Sequence, residues 1–240
     1  MKVILGTNEE LSKLIAEEFI SLVNSKPNAV LGLATGTSPL KVYANMVQAY
    51  KEGRVSFKDV KTFNLDEYIG LEGTHPQSYR YFMNVNLFDH LDINKENTHV
   101  LLGVGDYEAY GRNYDNLIAK AGGIDLQILG IGSDGHIAFN EPGTPLDSLT
   151  HVAELAESTI IDNSRLFNDI SEVPTKSMTM GLQSIMNAKR IVLLATGKNK
   201  AKAIYDLLKG EVTIDVPCSV LQNHPDVTIY CDEEAYSLVK

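Results

Sequence analysis

The stretch RIVLLATGKNKAKAIYDLLKG, residues 190–210, holds the reading that decides the fold. Its first part, RIVLLATG (190–197), is apolar on consecutive residues, as a parallel strand covered on both faces must be. The turn TGKNK follows, and NKAKAIYDLLKG then spaces its apolar residues for a helix ending at Gly210. Working outward, AVLGLAT (29–35), VKTFNL (60–65) and LQILGIG (126–132) read as further buried strands. VILG (3–6), THVLLG (98–103) and DVTIYCD (226–232) are weaker ones. Amphipathic stretches lie between them. NEELSKLIAEEFISLVNS is expected to turn Leu11, Leu14, Ile15, Phe19 and Leu22 to one face, and PLKVYANMVQAYKEG to end at Gly53. Strand and helix alternate without a dividing linker. The sequence therefore predicts one α/β domain over 1–240, with a mostly parallel central sheet flanked by helices.

The chain has 240 residues, 44% of them hydrophobic and 22% charged, which suffices for a substantial core and is unlike a disordered segment. Its formal charge of −10 opposes nucleic acid and anionic membranes as main partners, while leaving room for a local basic pocket that takes a small anion. Cys218 and Cys231 form neither a metal spacing nor a disulfide framework, and read as two thiols in a reducing cytoplasm. The N-terminal MKVILGTNEE has an apolar run too short for a signal peptide. No run approaches the ~18 apolar residues of a membrane span. A cytoplasmic protein without membrane or nucleic-acid partner is the expectation.

In parallel sheets, ligands bind beyond the carboxyl ends of the strands. Four loops follow the four strong strands: ATGTSP, LDEY, SDGHIAFNEPG and TGKNK. They should converge on one cleft. In ATGTSP, Thr35, Gly36, Thr37 and Ser38 offer hydroxyls and backbone N–H groups at a helix start, which suits phosphate; the loop lacks the Gly-Lys-Ser/Thr of a Walker motif and by itself reads equally as a plain turn. Lys198 and Lys200 sit where a helix dipole disfavours cations, a cost a bound anion would offset, although each alone reads as a solvated lysine. Arg165 in DNSRLF has the fork that suits phosphate, and alone reads as a surface arginine. Asp66 and Glu67 in NLDEYIGL are adjacent at a strand end, so at most one faces a given cleft. A helix cap or an exposed charge is the competing reading.

The loop GIGSDGHIAFNEPGTP (130–145) places Asp134, His136 and Glu141 among glycines and prolines. There they can converge as a carboxylate–imidazole–carboxylate set that moves a proton. No second histidine lies three or four residues away, and no H-x-E, C-x-x-C or G-x-S-x-G occurs, so neither a metal site nor a serine elbow is expected. His75 is expected at the cleft rim, and His90 and His224 in structural roles.

GLATGTSP, FNLDEYIGL, HPQSYRYFM, GIGSDGHIAFNEPG, NSRLF and TGKNKAKAI together resemble the glucosamine-6-phosphate deaminase family, in order and over nearly the whole chain. The resemblance implies a Rossmann-like fold and conversion of glucosamine 6-phosphate and water to fructose 6-phosphate and ammonia, without metal or redox cofactor. It implies Asp66 as the base that moves a proton between C2 and C1. It implies His136 as the ring-opening group, tuned by Asp134 and Glu141. Thr35, Gly36, Thr37, Ser38, Arg165 and Lys200 would bind the phosphate. A helical stretch around 147–160 would belong to a mobile lid spanning about 147–170. Some members are hexamers activated by N-acetylglucosamine 6-phosphate through basic residues after the FNEP loop. Here that stretch reads DSLTHVAEL, with His151 and Ala153 and no Arg or Lys, and the chain ends with YCDEEAYSLVK, where longer members continue. A non-allosteric monomer is the expectation. Two rivals share the fold. A 6-phosphogluconolactonase typically follows its DGH with Ser-Leu-Phe-Pro, and a sugar-phosphate-sensing regulator carries a basic DNA-binding module, for which no helix-turn-helix precedes residue 30.

Overall fold

The chain alternates strand and helix from its first residues: β1 (Lys2–Leu5), α1 (Asn8–Ser25), β2 (Val30–Leu33), α2 (Leu40–Lys51), β3 (Lys61–Asn64), β4 (Asp66–Tyr68), α3 (Tyr79–Asn86), β5 (Thr98–His99), α4 (Tyr107–Lys120), β6 (Leu126–Leu129), β7 (His151–Glu154), α5 (Glu157–Ser164), β8 (Lys176–Thr179), α6 (Leu182–Met186), β9 (Ile191–Ala195), α7 (Ala201–Lys209) and β10 (Val227–Cys231). The computed structural model describes residues 1–164, 167 and 169–239, apart from the side chains of 158, 162 and 163. Among the described residues, seven strands form one sheet in the order β1-β10-β9-β6-β2-β3-β5, every pairing parallel. Strands β2, β6, β9 and β10 are buried along their whole length, as consecutive apolar residues require when helices cover both faces. The order runs outward from β2 to β3 and β5 in one direction, and from β6 to β9 and β10 in the other. The switch point, where a crevice opens at the carboxyl ends, therefore lies between β2 and β6.

The expected α/β architecture is present, with three corrections. In α1 the buried face is Leu11, Ser12, Ile15, Ala16, Phe19, Ile20 and Val23, while Leu14 is 47% exposed. At ~100° per residue, Leu14 falls on the far side of that arc. Thr7 and Glu10 close the start of the helix as a capping box. Second, only Thr98–His99 of the expected strand 98–103 pairs, at the sheet edge beside β3.

Third, the expected helical stretch around 147–160 is a strand over its middle. β7 pairs antiparallel with β8, and β8 pairs antiparallel with β4, making a small second sheet; α5 begins only at Glu157. HVAELAE has helix-forming composition, but β8 supplies a ladder for it, and tertiary pairing overrides local propensity. None of the described helices is long and apolar enough to cross a membrane. Both cysteines are free and buried.

Leu65 joins the two sheets. Its N–H donates to Leu33 O of β2 at 3.2 Å, and its C=O accepts from Met180 N–H, just past β8, at 2.7 Å. Tyrosines brace the strand ends nearby. Tyr114 OH of α4 donates to Asn64 O at 2.9 Å, and Tyr43 OH of α2 donates to Ala34 O. Gly181 lets the backbone of 148–149 pass close by. A Cβ there would stand 2.2 Å from Ser148 O and 2.3 Å from Leu149 O, backbone atoms that cannot turn aside. Gly181→Ala should cost about 1–3 kcal/mol of stability. That predicts a melting temperature lower by several degrees, roughly 2–4 °C per kcal/mol at this size. Thermal unfolding checks it, and an unchanged midpoint would show that the 148–149 segment yields freely.

Candidate active site

The four loops meet at the switch point. One cleft is lined by 35–38, Asp66, Tyr79, 130–133, His136, Ala138, Phe139, Thr159 and Lys200. Two helices start at its edge. Pro39 precedes α2 and Lys200 precedes α7, and neither start carries a side-chain cap. Two uncapped positive helix ends and a lysine give that side of the cleft an affinity for anions. Gly36 (φ +85°) turns the first of these loops in the left-handed region that favours glycine.

Asp66 enters from β4 with 6% exposure. Thr35 Oγ1 donates to its Oδ1 at 3.5 Å. Burial pushes the Asp66 carboxyl up to about 7, and the neighbouring Glu67 charge adds to the rise, against the Thr35 hydrogen bond and the charge of His136. Glu67 points away from the cleft, as the strand alternation requires. Its carboxylate accepts the N–H groups of Tyr68, Tyr79 and Arg80, each at 2.9 Å. The last two open α3, so Glu67 clamps that helix start, while Ser78 Oγ accepts from Tyr81 N–H. Burial pushes Glu67 up to about 7 despite these donors and the charge of Arg80. The clamp places Tyr79 in the cleft, its ring 6.1 Å from Phe139 and 9° from parallel. Burial also raises the Tyr79 hydroxyl well above its ordinary value.

The loop 130–145 folds back on itself. Gly132 N–H donates to His136 O at 2.8 Å, and His136 N–H to Asp134 Oδ1 at 3.1 Å. A Cβ on Gly132 would lie 2.3 Å from the His136 ring, so the missing side chain is what lets the ring lie there. His136 Nδ1 is 2.8 Å from Asp134 Oδ1 and 3.6 Å from Glu141 Oε2. With Nδ1 turned to the carboxylates, Nε2 is the nitrogen left for the cleft. Burial works against the imidazolium, but Asp134 and then Glu141 outweigh it, with Lys200 opposing, and the His136 pKa is raised. The same imidazole holds Asp134 down to about 2. Ala138 (φ +52°) is the only non-glycine with positive φ among the described residues, a strain of about 1 kcal/mol next to the histidine. Buried Asn140 holds this turn in place, its Nδ2 donating to Ile137 O at 2.9 Å and to Met180 O at 2.8 Å. Ligand atoms of Asp134, His136 and Glu141 lie within 4.8 Å of one another, close enough to share a proton or to hold a cation.

The family model of glucosamine-6-phosphate isomerases and 6-phosphogluconolactonases matches residues 7–230. This chain belongs to that family. The glucosamine-6-phosphate deaminase of Thermoanaerobacter pseudethanolicus is 56% identical over 241 residues, spanning 100% of this chain and 95% of its own. A solved monomeric glucosamine-6-phosphate deaminase is 44% identical with a TM-score of 0.97, covering 99% of this chain and 100% of its own. A 6-phosphogluconolactonase from Trypanosoma brucei shares the fold, with a TM-score of 0.77 at 19% identity over 100% of this chain and 98% of its own.

Of the residues singled out in the sequence, Thr35, Gly36, Thr37, Ser38, Asp66, His136 and Lys200 line this family member's cleft. Asp134 and Glu141 stand behind the histidine. Arg165 lies outside the described residues. His75 does not line the cleft; it is exposed, and its Nδ1 accepts from Gln77 N–H within its own turn. Lys198 is also absent from the lining. His224 is structural as expected, bonded to Ala188 O at 2.7 Å, and His90 pairs with Val85 O at 2.8 Å. Tyr79 and Thr159 escaped the sequence reading, and Asn140 stood in the loop 130–145 without a role assigned to it. Only Tyr79 carried a signal, an aromatic directly after the cap serine of HPQSYRYFM.

Asp66 and Glu67 are a coupled pair of buried acids, so their protons leave in two steps that belong to the pair. Carboxyl ¹³C NMR should find carboxyl groups titrating near pH 7 in this protein. Glu67→Gln removes the charge that opposes ionisation of Asp66, so the Asp66 midpoint should move down. An Asp66 midpoint near that of an ordinary aspartate in the unsubstituted protein would contradict the burial argument.

Proposed function

We propose that this chain is a glucosamine-6-phosphate deaminase, converting glucosamine 6-phosphate and water to fructose 6-phosphate and ammonia. The observation that carries the reading is one cleft with two separate proton-handling groups, Asp66 and the His136 set, beside an anion-favouring edge. The phosphate is assigned to the 35–38 turn and Lys200, where hydroxyls, helix ends and an ammonium meet. Arg165 is assigned there by its sequence pattern alone. Anchoring the phosphate fixes the sugar so that both proton-transfer groups reach their atoms.

His136 takes the proton of the C1 hydroxyl and returns one to the ring oxygen, which opens the ring to an aldehyde. Asp134 and Glu141 stabilise the imidazolium formed on the way. The C2–H bond, now next to a carbonyl, is acidic enough for a positioned carboxylate. Asp66 removes that proton and delivers it to C1 while one amine proton passes to O1, so that C1 becomes a hydroxymethyl carbon and C2 an imine. Water adds to the imine and ammonia departs, so the atoms balance. A carboxyl near pH 7 suits a base that must release the proton it takes. Its pKa is raised, so the ionised, active form is lost as pH falls through about 7.

The α5 segment is assigned to a lid that keeps the open-chain forms from water until the proton has moved. A monomer without allosteric control is favoured by the absence of Arg and Lys in DSLTHVAEL, and by the likeness to a deaminase described as monomeric. A role in amino-sugar breakdown is supported by a reaction that releases ammonia, and a cytoplasmic location by the two buried free thiols. Lactone hydrolysis needs no base at the Asp66 position, and the lactonase likeness speaks for the fold alone.

Ammonia and fructose 6-phosphate should appear when the protein is given glucosamine 6-phosphate. Hydrolysis of 6-phosphogluconolactone without either product would decide for the rival. Asp66→Asn should lower kcat by about 10²–10⁴-fold with KM little changed. His136→Gln should slow turnover of the cyclic sugar, with part of the rate regained on an open-chain analogue. Near-normal turnover by Asp66→Asn would remove its role as the base.

A further inference from the structure

Among the described residues, the α5 segment reaches the histidine through the carboxylate of Glu141. Thr159 Oγ1 donates to Glu141 Oε1 at 2.6 Å, and Ala156 N–H donates to the same oxygen at 3.3 Å. Among the described residues, the donors to this carboxylate are Ala156, just before α5, and Thr159 in its first turn, 15 and 18 residues further along the chain. The other oxygen, Oε2, is buried, makes no hydrogen bond among the described residues, and lies 3.6 Å from His136 Nδ1. Thr159 is 6% exposed and lines the cleft. A glutamate held by one oxygen presents the other in a set direction, whereas a free one turns about several bonds.

We propose that Thr159 is a positioning residue for His136: its hydroxyl aims Glu141 at the imidazole, so the ring's second carboxylate is in place only while α5 lies over the cleft. The inference rests on the deaminase reading for the chemistry that His136 performs. The coupling from α5 to the imidazole stands without it. Charged groups facing the ring are Asp134 and Glu141 from its own loop, Asp66 from β4 and Lys200 from the start of α7. Among the described residues, the acceptor of the Thr159 hydroxyl is Glu141.

Two readouts test this. In the first, the His136 Cε1–H is followed by NMR across pH, its signal assigned by its loss in His136→Gln. Thr159→Val should lower the His136 midpoint by about half a unit, because a poorly aimed carboxylate supports the imidazolium less. Thr159→Ser should restore it. In a Glu141→Gln background, Thr159→Val should add nothing, since both changes remove one interaction. In the second, turnover of glucosamine 6-phosphate by Thr159→Val should fall roughly tenfold in kcat, the worth of one hydrogen bond to a charged group, with KM within about twofold. Thr159→Ala serves in place of Val should the latter fail to fold. An unchanged His136 titration would overturn the proposal. So would a Thr159→Val shift that persists in Glu141→Gln, or a raised KM with kcat intact, which would make Thr159 a substrate contact instead. If the unsubstituted protein turns over no glucosamine 6-phosphate, the deaminase reading falls, and the NMR titration alone still decides the positioning role.

Discussion

Leu65 is the residue on which the site depends. Its N–H bonds to the end of β2 and its C=O to the strand end after β8, so one peptide belongs to both sheets. This crossing stops β3 at Asn64 and sends the next residue over the mouth of the crevice between β2 and β6. A parallel sheet alone offers loops at its carboxyl ends. Here the antiparallel β4 gives Asp66 the rigidity of a paired strand at that place, and strands hold side chains more tightly than loops do. The loop 130–145 uses the same small sheet as its back wall, through Phe139 N–H to Thr179 Oγ1 at 3.2 Å and Asn140 to Met180 O. Both proton-handling groups are thereby referred to one rigid body.

Environment then separates groups that would titrate alike in water. Asp66 and Asp134 are both aspartates. Burial and the adjacent Glu67 charge raise the first to about 7, outweighing the opposing charge of His136; the imidazole beside the second lowers it to about 2. The histidine is raised in turn, which leaves one acid able to exchange a proton near neutrality and an ion pair able to hold one. Pairs of titratable groups pushed apart in this way are what acid–base chemistry at neutral pH requires. Stability acquires a pH dependence from the same pairing. Asp134 contributes stability only above its unfolded value near 4, and that contribution is lost as pH falls toward about 2.

The long apolar runs made the large sheet legible, because a strand buried on both faces needs no pattern beyond continuity. β4, β7 and β8 were not legible: each has three or four residues, and HVAE and KSMT carry no continuous apolar run. Asp134, His136 and Glu141 could be grouped from the sequence because they lie within one short loop. Asn140, Tyr79 and Thr159 depend on partners 40, 12 and 18 residues away, separations at which a sequence shows no periodicity. Leu14 was misplaced for a simpler reason. Hydrophobicity marks what prefers burial, and small residues such as Ser12 and Ala16 complete the buried face of α1 instead.

Local rules fail most visibly where the cleft is built. An alanine sits at positive φ, two acidic side chains next to each other are buried, and a lysine precedes a helix start. Each is unfavourable alone, and each has a compensating partner. Asn140 braces the turn that carries Ala138, three backbone N–H groups receive Glu67, and the open cleft beside Lys200 is where an anion would relieve the dipole. Ordinary packing accounts for none of these three, because a glycine at 138 and uncharged residues at the other positions would cost less. Their concentration within one cleft is therefore a physical argument that the cleft is where this protein acts, independent of any likeness to other chains.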